Sequence, residues 1–492
     1  MPTAAMEVNQ KNKQSIIEQK QQQEDNENQR EREEKEQLWS WGAGTDGQLG
    51  TVRLQDELLP QLLNLPSLSS AGSVSILACG GAHVVALTSG GKVLTWGRGN
   101  SGQLGHGDMA NNLLTPKPVM SLESYFITQV SAGWSHSGFV SDEGYVFTCG
   151  DGSFGQLGHG DYRSHCSPVK VSFFVNKHVE QIACGMRHSL VLSKESSGNL
   201  LYGFGSGKRG QLAISTDRIK SVNTPEGTRG FDGVQIITIA ANGDHSAALS
   251  ADGELYTWGR GFGASSDFLS PQHLPSSSKF SKVVLGWNHA LVLSDNGEVF
   301  MLGGNHHGKL SNPENTTLSK HLSGEAAVLE RVPGLDGMKV VEIAAGAEHS
   351  AVVTEEGAIK TWGWGEHGQL GLGSTSDESS PRTVSLGDEV LHKDGSSIAS
   401  AALMDWLCSD CPDLVLSNAR TKSGEGSKEI QAMGGVPLMP WILFGIWTLL
   451  LLVYYVFIAL HALYDAAKDT TDTTSAATVT NLEIGVASQI HR

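Results

Sequence analysis

Histidine is the side chain that most readily moves a proton or holds a metal near neutral pH, and six of them recur here in one local context. They are His83, His136, His188, His245, His289 and His349, spaced 53, 52, 57, 44 and 60 residues apart. A second candidate chemistry is phosphate binding. Gly42-x-Gly44-x-x-Gly47, Gly97-x-Gly99-x-x-Gly102, Gly150-x-Gly152-x-x-Gly155, Gly205-x-Gly207-x-x-Gly210 and Gly363-x-Gly365-x-x-Gly368 all fit the spacing of a dinucleotide fingerprint. A third is the pair Cys408-Ser-Asp-Cys411, which has the spacing of half a zinc or redox site but no second ligand pair. His306-His307 reads as a solvated pair in a turn.

The elements that must carry these residues weigh against all three. Each histidine follows a short apolar strand and a glycine, as in Cys79-Gly80-Gly81-Ala82-His83, and opens a second apolar strand. A hairpin turn comes next: Ser89-Gly90-Gly91, Asp142-Glu143-Gly144, Ala251-Asp252-Gly253, Asp295-Asn296-Gly297 or Glu355-Glu356-Gly357. A third strand then ends in an aromatic-glycine or apolar-glycine pair at Trp96, Cys149, Phe204, Trp258, Leu302 and Trp362. A phosphate cradle needs its glycines to open a helix after a parallel strand. Here each copy ends an antiparallel hairpin and runs to proline. Repeats of this length made only of strands and turns suit the blades of a β-propeller. Ring geometry would hold the six histidines apart, each satisfied between or within blades, so they are expected to be structural, with no cofactor and no metal.

The repeat, apolar-x-x-Gly-x-x-His, a hairpin, then Trp-Gly-x-Gly-x-x-Gly-Gln-Leu-Gly, resembles the regulator of chromosome condensation family. The full Gly-Gln-Leu-Gly tail begins at Gly47, Gly102, Gly155 and Gly368, while Gly210-Gln211-Leu212-Ala213 and Gly308-Lys309-Leu310-Ser311 are partial. The copy after Trp258 lacks it. The resemblance covers residues 38–417 and implies an all-β fold of seven blades, six or an open ring being alternatives. Trp41-Gly42 has no His strand before it, so its partner is expected from the far end, in the segments around residues 398–403 and 413–417. That junction would close the ring and remove exposed sheet edges.

The resemblance also implies functions. The family includes guanine-nucleotide exchange factors for small GTPases, in which polar residues beside the repeated His face the GTPase. Asp244, immediately before His245, fits that description, with Glu348 before His349 second. The segment after Trp258 is shortened where the family inserts a wedge, which counts against exchange and leaves a partner-binding platform without chemistry of its own. Trp134, Trp287 and Arg187 complete the candidate partner-binding set. Plant ultraviolet-B photoreceptors are propellers of the same family and carry Gly-Trp-Arg-His in consecutive blades. Here Gly-Trp-x-His occurs at Trp134 and Trp287, in blades that are not neighbours, with Met186 and Gly243 at the intervening positions. The expectation is that the two rings do not form a coupled cluster, which counts against a light sensor.

Net charge is −17 over 492 residues, which argues against a nucleic-acid partner. Residues 1–37 are rich in Gln and Glu, carry six Lys or Arg against nine acids, and lack aromatic residues, so a disordered or loosely helical arm is expected. Residues 418–440 read as a linker. Residues 441–463, WILFGIWTLLLLVYYVFIALHAL, carry no charge over 23 positions, enough at ~1.5 Å per residue to cross a ~30 Å hydrocarbon core. One transmembrane helix is expected there, with a polar tail over 464–492. Basic Arg420, Lys422 and Lys428 precede it and acidic Asp465, Asp469 and Asp472 follow, which places the propeller in the cytosol. Endoplasmic reticulum or secretory membranes suit this span better than the mitochondrial outer membrane.

Overall fold

The computed structural model describes residues 36–63, 71–109, 112–195, 198–262, 266–303, 329–386, 399–403 and 413–418. The expected arm, the linker, the span at 441–463, the tail, His306-His307 and Cys408-Cys411 lie outside the described residues. Among the described residues no helix is long and apolar enough to cross a membrane. The chain divides into two units, Met1–Lys422 and Ser423–Arg492, and the repeats fall in the first.

Among the described residues this first unit holds seven antiparallel sheets of four strands. Six are each built from consecutive strands. The His83 sheet is typical, with Val74–Cys79, His83–Thr88, Val93–Gly97 and Leu113–Pro118 in spatial order. Its second strand is buried at every position, because both of its faces are covered by neighbouring sheets. The first strands of successive sheets touch one another, which places them nearest the ring axis, while the fourth strands are more exposed and form the rim. In the hairpin turns the hydroxyl of Thr88 accepts from Lys92 N–H (3.2 Å) and Ser141 does the same for Tyr145 N–H (3.2 Å), and glycine supplies the positive φ, +73° at Gly91 and +81° at Gly144.

The seventh sheet joins the two ends of the propeller sequence. Its order is Glu57–Leu63, Glu36–Gly42, Asp413–Asn418, Ala399–Leu403. Trp41 pairs in register with Asp413 and Leu38 with Leu416. The first strand begins at Glu36, two residues before the expected boundary. Side chains tie this sheet to both neighbours. Trp96 Nε1 donates to Gln48 C=O (2.9 Å) on the His83 side, where Arg98 also meets the Asp46 carboxylate. On the His349 side Trp41 Nε1 donates to Gln369 C=O (3.2 Å) and His367 Nδ1 lies 3.0 Å from Asp56 Oδ2. One core cluster accordingly contains Trp41 with Leu77 and Trp96 of one neighbour and with Ala344 and Val353 of the other.

Side chains also join the inner strands. The Gln129 amide accepts from Ile182 N–H (2.9 Å) and donates to Ile182 C=O (3.0 Å), so it imitates a peptide group between two strands that do not otherwise pair. Gln181 makes the same kind of bridge to Ile237 C=O and Ile239 N–H.

Candidate functional site

Each repeated histidine pairs with the last glycine of its third strand, His83 with Gly97 and His136 with Gly150. The Gly-x-x-His turns and the Gly-Gln-Leu-Gly turns therefore emerge at the same end of the sheets, called here the loop face. Among the described contacts, those of four histidines reach the next sheet. Nε2 of His83, His136, His188 and His289 lies 2.9, 2.9, 3.0 and 3.0 Å from the hydroxyls of Ser137, Ser189, Ser246 and Ser350. Ser137, Ser189 and Ser246 each donate their one hydroxyl proton to the backbone carbonyl of Gln103, Gln156 and Gln211, all at 2.8 Å. The hydroxyl can then only accept from the histidine, which fixes His83, His136 and His188 as the Nε2–H tautomer. Burial is the leading cause that brings these rings to pKa values of about 3, 4 and 3. They are neutral in the folded protein, with Nδ1 unpaired.

The glycine before each turn makes room for the ring. A Cβ at Gly80, Gly133, Gly185 or Gly286 would stand 2.2 to 2.3 Å from Cε1 of the histidine that follows. In the His245 sheet both requirements are broken: Asn242 replaces the glycine and Ala290 replaces the serine of the next sheet. His245 turns away. Its Nε2 faces Trp287 C=O and its Nδ1 faces Arg260 C=O, both at 2.5 Å, and the ring stacks on Phe262 at 4.3 Å with planes 12° apart. A neutral imidazole can donate to only one of these carbonyls, whereas the imidazolium serves both. Burial lowers this pKa and the two carbonyls work against that. Val84 occupies the serine's place where the preceding sheet, by sequence, has no histidine.

The glycine-rich turns are occupied by their own structure. Gln48, Gln103, Gln156, Gln211 and Gln369 are buried, and each side-chain oxygen accepts from the backbone N–H two residues earlier at 2.8 to 2.9 Å. Their carbonyls hold the serines or the Trp96, Trp258 and Trp41 indoles. No helix starts from these turns, so they offer no phosphate cradle. Among the described residues no group of three His, Cys, Asp or Glu is placed to hold a metal.

Around the ring axis the Gly-x-x-His turns bond to one another through the backbone: Gly81 N–H to Gly133 C=O, Trp134 to Gly185, Met186 to Gly243 and Trp287 to Ala347, at 2.9 to 3.2 Å. The expectation that Trp134 and Trp287 stay apart is overturned. Their ring centroids are 5.5 Å apart with planes at 35°, because turns three sheets apart converge on the axis. Both rings are half-buried, and among the described residues Trp287 Nε1 has no acceptor. Three residues that immediately precede a repeated histidine lie in turns of the same face. Arg187 is exposed with its guanidinium 4.8 Å from the Phe154 ring, Asp244 accepts from Gln211 Nε2 (3.1 Å), and Glu348 accepts from Asn288 Nδ2 (2.8 Å). Asp244, Glu348, Trp134, Trp287 and Arg187 thus share one face.

A family model described as the RCC1-like domain matches residues 37–402. This chain belongs to the RCC1-like family. Among relatives of this RCC1-like protein, the ultraviolet-B receptor UVR8 of Arabidopsis thaliana is 33% identical over 325 residues, covering 64% of this chain and 71% of the receptor. The secretion-regulating guanine nucleotide exchange factor of Bos taurus is 31% identical over 368 residues, covering 70% of this chain and 77% of that protein. Yeast RCC1 (Prp20), solved bound to Kap60, superposes with a TM-score of 0.65 at 23% identity over 78% of this chain and 89% of its own, a likeness of fold.

Proposed function

We propose that this RCC1-like propeller is a protein-interaction platform whose loop face docks a partner, and that residues 441–463 anchor it to a membrane with the ring in the cytosol. The observation that carries the docking reading is the Trp134–Trp287 pair, two half-buried indoles at the centre of a face rimmed by Arg187, Asp244 and Glu348. A central aromatic anchor in a charged surround is the anatomy of a binding hot spot. The docking reading requires no nucleophile or base on this face. The seven sheets are read as one closed ring, rigid enough to present these turns in fixed positions.

A second reading, exchange on a small GTPase, is favoured by the similarity to the secretion-regulating exchange factor and by the place of Asp244 on the face. One assay separates the two: release of labelled GDP from a panel of small GTPases, measured with wild type and Asp244→Ala. Acceleration that the substitution abolishes supports exchange and overturns the platform-only reading. The platform reading expects no acceleration, together with crosslinks between the loop face and a partner in intact cells that Trp287→Ala abolishes. For the anchor, replacing Leu450 and Leu452 by Arg releases the protein to the soluble fraction, each central charge opposing insertion by roughly 2.5 to 3.5 kcal/mol. Extraction of the wild type by alkaline carbonate overturns it. Endoplasmic reticulum or secretory membranes are the proposed location.

A further inference from the structure

Three aromatic rings in the His136 sheet enclose a cation. Lys170, the last residue of the rim strand His165–Lys170, holds its Nζ 3.4 Å from the centroid of Tyr145, 5.2 Å from Tyr125 and 5.6 Å from Phe147. Tyr125 lies 4.7 Å from Phe147 and meets Tyr145 edge-on, so the rings form a cage with differently oriented walls. Among the described residues no carboxylate or other acceptor reaches the ammonium.

Two other sheets offer a direct comparison. Lys170 pairs in register with Phe147. The same position in the His245 sheet is His273, opposite Tyr256, and in the His289 sheet it is Arg331, opposite Phe300. There a glutamate two residues before the aromatic meets the facing side chain: Glu254 lies 3.7 Å from His273 and Glu298 lies 2.9 Å from Arg331. In the His136 sheet that glutamate is replaced by Tyr145. A π face attracts the positive charge but accepts the ammonium N–H groups poorly. The site thus favours a cation with fewer N–H donors and more methyl surface.

We propose that Lys170 is a lysine-methylation site and that Tyr125, Tyr145 and Phe147 form the cage that holds its methylated ammonium. In the modification the neutral Lys170 amine, its proton given to solvent, attacks the methyl group of a sulfonium donor bound by a separate methyltransferase. The N–C bond forms as the S–C bond breaks, and the thioether leaves with the bonding pair. The product keeps its positive charge, loses one N–H for each methyl added, and returns to the cage.

The test places Nε,Nε-dimethyllysine at position 170 of the full chain by amber suppression and compares its thermal unfolding with that of wild type. The methylated protein melts about 1 to 2 °C higher. In a Tyr145→Glu background, which introduces the glutamate of the His245 and His289 sheets, the order reverses and the unmodified lysine gives the more stable protein. Equal or lower stability of the methylated form in the wild-type background overturns the cage. Mass spectrometry of the protein isolated from its own cells supplies the second arm. Methyl groups on the peptide carrying Lys170 support the proposal, and a wholly unmodified Lys170 overturns it.

Discussion

The histidine-to-serine contacts between sheets give the sharpest test of how this ring is held together, and Ser189 is the place to apply it. Ser189→Ala deletes the hydroxyl that accepts from His136 Nε2–H at 2.9 Å and donates to Gln156 C=O at 2.8 Å. The imidazole is buried and its Nδ1 is already unpaired, so the substitution leaves both ring nitrogens without a partner. A buried donor stripped of its acceptor costs about 1 to 3 kcal/mol, and the lost serine-to-carbonyl bond adds about 1. The expected loss is therefore about 2 to 4 kcal/mol, measured by urea denaturation followed through tryptophan fluorescence. The complementary change is Val84→Ser. It places a hydroxyl at the equivalent buried position, where the preceding sheet has no histidine to donate, and is expected to destabilise by about 1 to 3 kcal/mol. A loss below about 0.5 kcal/mol for Ser189→Ala, with Val84→Ser neutral, would refute the claim that histidine and serine are matched across sheets.

Stability should fall on acidification. His83, His136 and His188 have folded pKa values of about 3, 4 and 3 against 6.5 when unfolded, so their contribution is complete above pH 6.5. As the pH drops below 6.5 the unfolded chain takes up protons that the folded protein refuses, costing up to about 1.4 kcal/mol per histidine per pH unit until the folded values are reached. A urea midpoint that stays flat between pH 6 and pH 4 would refute this. Val52 sits at φ +67° where the equivalent Gly107, Gly160 and Gly373 lie at +92°, +85° and +78°. Relief of that strain, less the entropy glycine brings to the unfolded chain, makes Val52→Gly stabilising by about 1 kcal/mol, and a loss in the same denaturation assay would remove the strain argument. In the His245 sheet, Asn242→Gly together with Ala290→Ser should swing the ring onto the introduced hydroxyl. The double variant should exceed the sum of the singles by about 1 to 2 kcal/mol, and strict additivity would show that the two departures are unrelated.

The sequence by itself determined the strands, their hairpins and the partner of the Trp41 strand. These follow from alternation of apolar residues, from glycines where φ is positive, and from a repeat that cannot cover its own faces. The same local rules place Gly80 before His83 and Gln103 after Gly102, since each satisfies a contact within a few residues. The tertiary structure decided what depends on distance across the ring. Trp134 and Trp287 are 153 positions apart and meet because turns of separated sheets converge on the axis, which sequence spacing does not encode. The turned ring of His245 accompanies Asn242 in its own sheet and Ala290 in the next. Lys170 gains its cage from pairing register and from a connector that brings Tyr125 over Phe147. In each case the deciding term is a side chain's desolvated contact with a residue remote in the chain, and only packing of the sheets brings the two together.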